Sequence, residues 1–428
     1  MLPKATTQMS KARSEGDEPP IAPATCHPGM GFKEFVALMA ALMAVNALSI
    51  DAMLPVLPQM AEGLGISSEN EQQWIVTSYL LGFGGAQLLY GPVADRFGRR
   101  FILLAGLGIY AVFTIVAAFA TSLDVMIAAR VLEGAGAAAT RVLAVTIIRD
   151  CYSGRRMARV MSLTFIVFLA APVIAPTIGQ AIALVAPWHW IFGALAAFGL
   201  AVAAWVGLRL PKSLHPGDRR AISWASITQA LRLVFFNRVA LGYMLASTAM
   251  LGALFGFINS AQQVFAEALD APELFTTVFA VAAGCMALAS FLNSRIVEKV
   301  GMRRVSHAAL LGFIAFAGGH VLMALLGHEK LWTFAVLQSG LMFCFGLVGA
   351  NFNSMAMEPL GSIAGTGSSV LGFFTTVVGA LIGFYVGQQF DGSVIPLALG
   401  FLSCALVALI IVMITEKGHL FRPVHTAA

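Results

Sequence analysis

Twelve apolar stretches, each long enough to cross a bilayer, occupy nearly all of the chain between residues 34 and 415. A hydrocarbon core about 30 Å thick takes roughly 20 residues of helix to span. Because that core holds no water, every backbone N–H and C=O within it must be satisfied internally, which makes the stretches helices. They fall at about 34–58, 72–94, 101–120, 124–149, 157–184, 188–208, 238–265, 274–297, 304–326, 331–357, 364–389 and 394–415. The composition agrees: 59% of residues are hydrophobic and 11% charged, against about a quarter charged in a soluble domain. The fold class is an all-α membrane protein with twelve transmembrane helices.

The basic residues set the expected orientation. Arg130 and Arg141 lie deep inside a span and Lys330 lies before the tenth; the other Lys and Arg occupy the termini, the loops after even-numbered spans and the span ends that adjoin those loops. The positive-inside rule then places both termini in the cytoplasm. The opposite loops carry Glu62, Glu69, Glu71, Glu267, Asp270 and Glu273. Trp74, Trp188, Trp190 and Trp332 on one side, and Trp205 and Trp224 on the other, fit an aromatic belt. The net charge of +5 is spread over every loop on one side, so it orients the chain and gives no nucleic-acid surface. Cys26, Cys151, Cys285, Cys344 and Cys404 show no paired spacing, so free thiols are expected and no metal or other cofactor is implied. Residues 1–32 are polar and lack the apolar core of a cleavable signal peptide. Met30 is a second possible start.

The spans divide six and six. Expected units are an N-terminal tail (1–33), a first bundle (34–208), a cytoplasmic loop (209–237), a second bundle (238–415) and a C-terminal tail (416–428). Within the loop, 223–236 alternates apolar and basic residues, as an interfacial helix does. The halves also echo each other. An offset of 203 residues lays Asp95 on Glu298, Arg96 on Lys299, Gly98 on Gly301 and Arg100 on Arg303, at the same place in each six-span block. Such a repeat predicts two pseudo-symmetric six-helix bundles with a substrate site between them near mid-membrane.

Four ionisable groups lie at mid-membrane depth: Asp51, Arg130, Glu133 and Arg141. Each costs roughly 2.5–3.5 kcal/mol on insertion scales, which marks it as a functional candidate. Asp51 and Arg130 are at similar depth and are expected to pair. Arg130 and Arg141, eleven residues apart, share a helix face, with Glu133 flanking it. A structural ion-pair network is one reading. The other is exchange: the charges sum to zero, so a proton on either acid and a bound cargo would compete for one electrostatic site. Asp51 is the first candidate for proton coupling; Glu133 is the second, unless it neutralises Arg141. His320 is either a satisfied polar residue or a relay. Asn46, Gln262, Gln263, Gln338 and Asn351 are candidate cavity residues.

In GPVADRFGRR (91–100), Gly91 and Pro92 are expected to end the second span and Gly98 to turn the chain. The loop resembles the major facilitator superfamily signature between its second and third helices. SIDAMLPVLPQM (49–60), AARVLEGAGAAA (128–139), RDCYSGRRMARVMS (149–162) and APVIAPTIGQ (171–180) are similar to segments of that superfamily's Bcr/CflA branch of drug/proton antiporters. Three positions depart from the branch pattern: Glu133 in place of a glutamine, Arg141 in place of an apolar residue, and Gly179-Gln180 in place of paired glycines.

The resemblance implies the major facilitator fold and no enzyme activity. It implies a proton-coupled antiporter of the multidrug-efflux type in the bacterial inner membrane, exporting small, largely apolar or cationic compounds by alternating access. The alternative is a dedicated exporter of an endogenous, possibly anionic metabolite on the same scaffold. The implied partners are small-molecule substrate, protons and lipid, and the protein is expected to be a monomer. Gly91, Asp95, Arg96, Gly98, Arg99, Arg100 and Arg149 would form a conformational latch, with a local ion pair as the plainer reading of Asp95. Pro172, Pro176 and Gly179 would form the kinked antiporter motif of the fifth helix. Arg130, Arg141 and Asn46 would line the substrate cavity.

Overall fold

The computed structural model describes residues 29–152, 154–211 and 224–421. Fourteen α-helices run through them: α1 Phe32–Asp51, α2 Leu57–Gly63, α3 Trp74–Phe97, α4 Arg99–Ala118, α5 Leu123–Cys151, α6 Gly154–Ala183, α7 His189–Arg209, α8 Trp224–Phe236, α9 Arg238–Gln263, α10 Phe275–Val300, α11 Met302–Leu325, α12 Leu331–Met357, α13 Ala364–Gln388 and α14 Ile395–Thr415. No strand occurs among the described residues. Apart from the short α2 and α8, the helices follow the twelve expected spans. Ten are long and apolar enough to cross a membrane by length and composition alone; α3 and α6, at 24 and 30 residues, complete the set.

Packing repeats between the halves. In the first, α3 and α4 pack on α5, α4 on α7, and α1 on α6; in the second, α10 and α11 pack on α12, α11 on α14, and α9 on α13. The most extensive contacts between the halves are α3 against α13 and α6 against α10. The turns aligned by the repeat also match. Gly98 (φ 99°, ψ 139°) and Gly301 (φ 91°, ψ 146°) each end one helix and start the next. This left-handed conformation favours glycine because it has no Cβ. Beyond each turn, Arg100 donates to the carbonyl of Gly207 at the end of α7. Arg303 donates to Glu416 just past α14 at 2.8 Å.

Two helix ends differ from expectation. Pro92 does not stop α3, which continues to Phe97; a proline removes only one main-chain bond, and the turn waits for Gly98. The first span breaks earlier than expected. α1 ends at Asp51, followed by a 3₁₀ turn at Leu54–Val56 and then α2. Pro55 and Pro58 have no N–H to offer the carbonyls of Asp51 and Leu54, which removes two main-chain bonds at the point where the helix breaks. Of the cysteines, Cys285, Cys344 and Cys404 are free. Cys151 is disulfide-bonded, correcting the expectation of a free thiol there: sequence spacing does not register a partner that folding brings near.

The predicted 223–236 segment is represented by α8, whose Leu233, Phe235 and Phe236 are exposed. Residues 1–28, 153, 212–223 and 422–428, and with them Cys26, lie outside the described residues.

Candidate functional site

The innermost charge is Arg130, fully buried on α5. Its Nη1 donates to Glu133 Oε2 at 2.8 Å, its Nε to the Ile75 carbonyl at 3.0 Å and its Nη2 to the Ser49 carbonyl at 2.9 Å. The guanidinium carbon also lies 4.3 Å from the centroid of the Tyr79 ring. One arginine thus ties α5 to α1 and α3. The Tyr79 hydroxyl donates to Asn46 Oδ1 at 3.1 Å, and the hydroxyls of Ser49 and Tyr110 bond at 2.9 Å. Asn46 is therefore part of this knot within the first half. Glu133 Oε1 is buried with no hydrogen-bond partner.

Asp51 is buried, with 4% of its surface exposed, but it does not pair with Arg130. No ion pair or hydrogen bond joins its carboxylate to another described residue. The expected pair fails because Arg130 has a carboxylate three residues away on its own helix, and because the first span contributes its Ser49 carbonyl instead of its acid. Glu133 therefore neutralises Arg130, not Arg141. Asp51 sits at the break, where α6 comes closest. A β-carbon built on Gly179 would lie 1.7 Å from the Ala52 carbonyl oxygen, so nothing larger than hydrogen fits. Pro172 and Pro176 lie inside α6, which stays helical from Gly154 to Ala183. Arg141 is exposed, with its guanidinium carbon 6.0 Å from the Phe83 ring centroid.

At the basic-loop end, Arg99 is paired on both sides, with Asp95 one turn before it and with Asp150 at 2.9 Å on α5. Asp95 thus forms the local ion pair of the plainer reading. The first turns of α13 lie alongside: a β-carbon on Gly91 would be 3.5 Å from Ser369 Oγ, and one on Gly365 would be 3.9 Å from Arg149 Nη1. Arg96 lies 5.5 Å from the Phe97 ring centroid and is exposed.

At the acidic-loop end the halves are joined by side-chain amides. Gln73 Nε2 donates to Gln263 Oε1 at 2.7 Å and to the Gly387 carbonyl at 2.9 Å. Gln263 Nε2 donates to Asn70 Oδ1 at 2.9 Å, and Gln388 Nε2 to the Asn70 carbonyl at 2.7 Å. Thr77 donates to Asn259 Oδ1 at 3.3 Å one turn deeper, beside Trp74 packed on Phe384 with centroids 4.2 Å apart. Of this cluster, only Gln263 was a candidate from sequence. Its partners Asn70 and Gln73 precede a span as ordinary loop residues do, and no periodicity marks them. Gln338 is buried with no hydrogen-bond partner, and Asn351 bonds Asn293 at 2.8 Å inside the second half. His320 meets Glu329 at 2.8 Å, away from the first half's charges. Among the described residues, no group of three or more His, Cys, Asp or Glu could hold a metal ion.

The Major Facilitator Superfamily profile matches residues 39–384. The chain is 30% identical to a bicyclomycin resistance protein homolog of Haemophilus influenzae, over 88% of this chain and 94% of that protein. It is 27% identical to the multidrug resistance protein MdtL of Escherichia fergusonii, over 91% of this chain and 97% of that protein. A partially occluded inward-open structure of the xylose transporter XylE from E. coli superposes with a TM-score of 0.69 at 10% identity, covering 90% of this chain and 96% of that one. Twelve long helices in two matching sets, joined through α3–α13 and α6–α10, are the architecture of these transporters, which are not enzymes. The chain is a multi-pass membrane protein of the major facilitator superfamily and belongs to its Bcr/CflA-type drug-transporter branch.

Proposed function

We propose that the protein is a proton-coupled antiporter that exports small, largely apolar or cationic compounds, antimicrobials among them, by alternating access. It would act as a monomer in the bacterial inner membrane with both termini cytoplasmic. The observation that carries this reading is the unequal treatment of the two membrane acids. Glu133 has a fixed cation, whereas Asp51 is buried with none. An ionised carboxylate without a partner is expensive in a dry site, so Asp51 is favoured as ionised when the site is wet and protonated when it is closed. That difference links proton occupancy to the state of the cavity. The proline-broken turn and α6, held against Ala52 by Gly179, would pass the change toward α10. Although Asp95 is held locally by Arg99, the approach of Gly91 to Ser369 and of Arg149 to Gly365, at the first turns of α13, supports the latch reading of the 91–100 loop. The similarity to a bicyclomycin resistance protein homolog and to a multidrug resistance protein supports an efflux role.

The test is a drug-susceptibility panel in an efflux-deficient bacterial host, with and without a protonophore. Raised resistance to several chemically unrelated compounds, lost when the gradient is collapsed, is expected. Resistance that survives the protonophore would overturn proton coupling. A dedicated exporter of an anionic metabolite is a second reading, favoured by the accessible Arg141. No gain across the drug panel, with efflux of one endogenous acid, would select it.

A further inference from the structure

We propose that Arg141 is an anion-recognising residue of the transport cavity, and that the cargo is an organic anion: an acidic group on an apolar body. The proposal deepens the second, anionic-cargo reading above; it rests on the protein being a transporter but not on the proton step. Two observations carry it, one of position and one of charge.

The first is where Arg141 faces. α5 advances about 100° per residue, so Leu132, nine residues earlier, projects from the opposite side of the helix. Leu132 is 41% exposed and Val125, on the same side, 43%; they mark the face turned to lipid. Arg141 lies on the inner side, on the same face as Arg130 and among the buried Ala137, Ala138 and Ala144. An inward-facing arginine that is nevertheless exposed looks into open space between the helices. Its alanine neighbours, with only a methyl each, leave room around it.

The second is its lack of a counter-charge. Arg99, Arg130, Arg209 and Arg303 each pair with a carboxylate, whereas no ion pair to Arg141 occurs among the described residues. Its neighbour is the face of Phe83, 6.0 Å away. Stacking on a ring leaves the in-plane N–H groups of a guanidinium unspent, and their fork matches the two oxygens of a carboxylate or phosphate. An unpaired cation between low-dielectric walls also concentrates anions at the site. The Phe83 ring gives an apolar body a surface, and Gln87, one turn along α3, reaches Thr376 of the other half at 3.3 Å. Acid recognition would then touch the contact between halves. Eleven residues along the helix, at about 1.5 Å each, separate this layer from Arg130, so cargo charge and proton are handled at different depths.

The test uses purified full-length protein and three probes with one skeleton: 4-phenylbutyrate, its methyl ester and 4-phenylbutylamine. Thermal shift without a gradient measures binding, and uptake into proteoliposomes with and without a pH gradient measures transport. Expected are at least tenfold tighter binding of the acid than of the amine, and a tenfold or greater fall in the acid-to-ester ratio for Arg141→Gln. Arg141→Lys should recover part of that ratio. Amine preferred over acid, or Arg141→Gln weakening all three probes alike, would overturn the proposal. So would a full shift from chloride or inorganic phosphate alone, which would assign a simple inorganic-anion site. Acid binding without any effect of the pH gradient would retain the anion site and remove the antiport reading instead.

Discussion

Asp51 and Glu133 differ in what their loss should do. Asp51→Asn removes a group that holds no partner, so the protein should fold and reach the membrane in normal amounts. Proton-driven efflux should fall at least tenfold, as read from substrate-induced pH change in inside-out vesicles; normal efflux would take Asp51 out of the mechanism. Glu133→Gln leaves Arg130 charged and buried without its acid, a loss that costs about 3–5 kcal/mol when a buried pair is broken. A marked drop in detergent melting temperature is expected, and unchanged melting would show that the Ser49 and Ile75 carbonyls suffice. The sequence made all four membrane charges visible because ionisable residues stand out in apolar spans. It did not reveal their pairing. Equal depth brought Asp51 and Arg130 to one level, but helix rotation and the nearer Glu133 decided which acid received the guanidinium.

Among the elements, the junction of α1, α2 and α6 is the most constrained. Gly179→Val would drive a branched side chain into the Ala52 carbonyl, so α6 must move away. Transport should be lost while insertion is retained, measured by efflux beside membrane yield. The break itself was only partly legible. SIDAMLPVLPQM displays its prolines, yet a long apolar run still reads as one span, and only coordinates show the helix ending at Asp51. The amide cluster was less legible still, since Asn70, Gln73, Gln263 and Gln388 come from segments far apart in sequence. A double variant, Gln73→Cys with Gln263→Cys, places two thiols across the former amide contact, where a short disulfide-forming bifunctional reagent can bridge them. Cross-linking with that reagent should stop transport and reductant restore it; continued transport by the cross-linked form would mean that this end need not open.

For the molecule as a whole, the repeat makes a paired prediction. Arg100 and Arg303 each anchor the last helix of their own half, so Arg100→Ala and Arg303→Ala should slow transport to a similar degree. A defect confined to one would show that the halves have diverged in function at this turn. Helix number and the duplicated turn were both readable, because membrane thickness and a glycine with positive φ impose patterns that one chain displays by itself. Orientation remains a prediction from charge: cysteines introduced at Ser68 and Lys417, in a background lacking native cysteines, should react with impermeant reagent from opposite faces. At the acidic-loop end, the hydrogen bonds that join Asn70, Gln73 and Thr77 to Asn259, Gln263 and Gln388 run between amides, main-chain carbonyls and a threonine hydroxyl, none of which gains or loses a proton in ordinary media. Their grip should be indifferent to acidity on that side of the membrane. Any dependence of turnover on the pH at that face would then originate at carboxylates rather than at this cluster, whose hold should be as firm in acid as in alkaline surroundings.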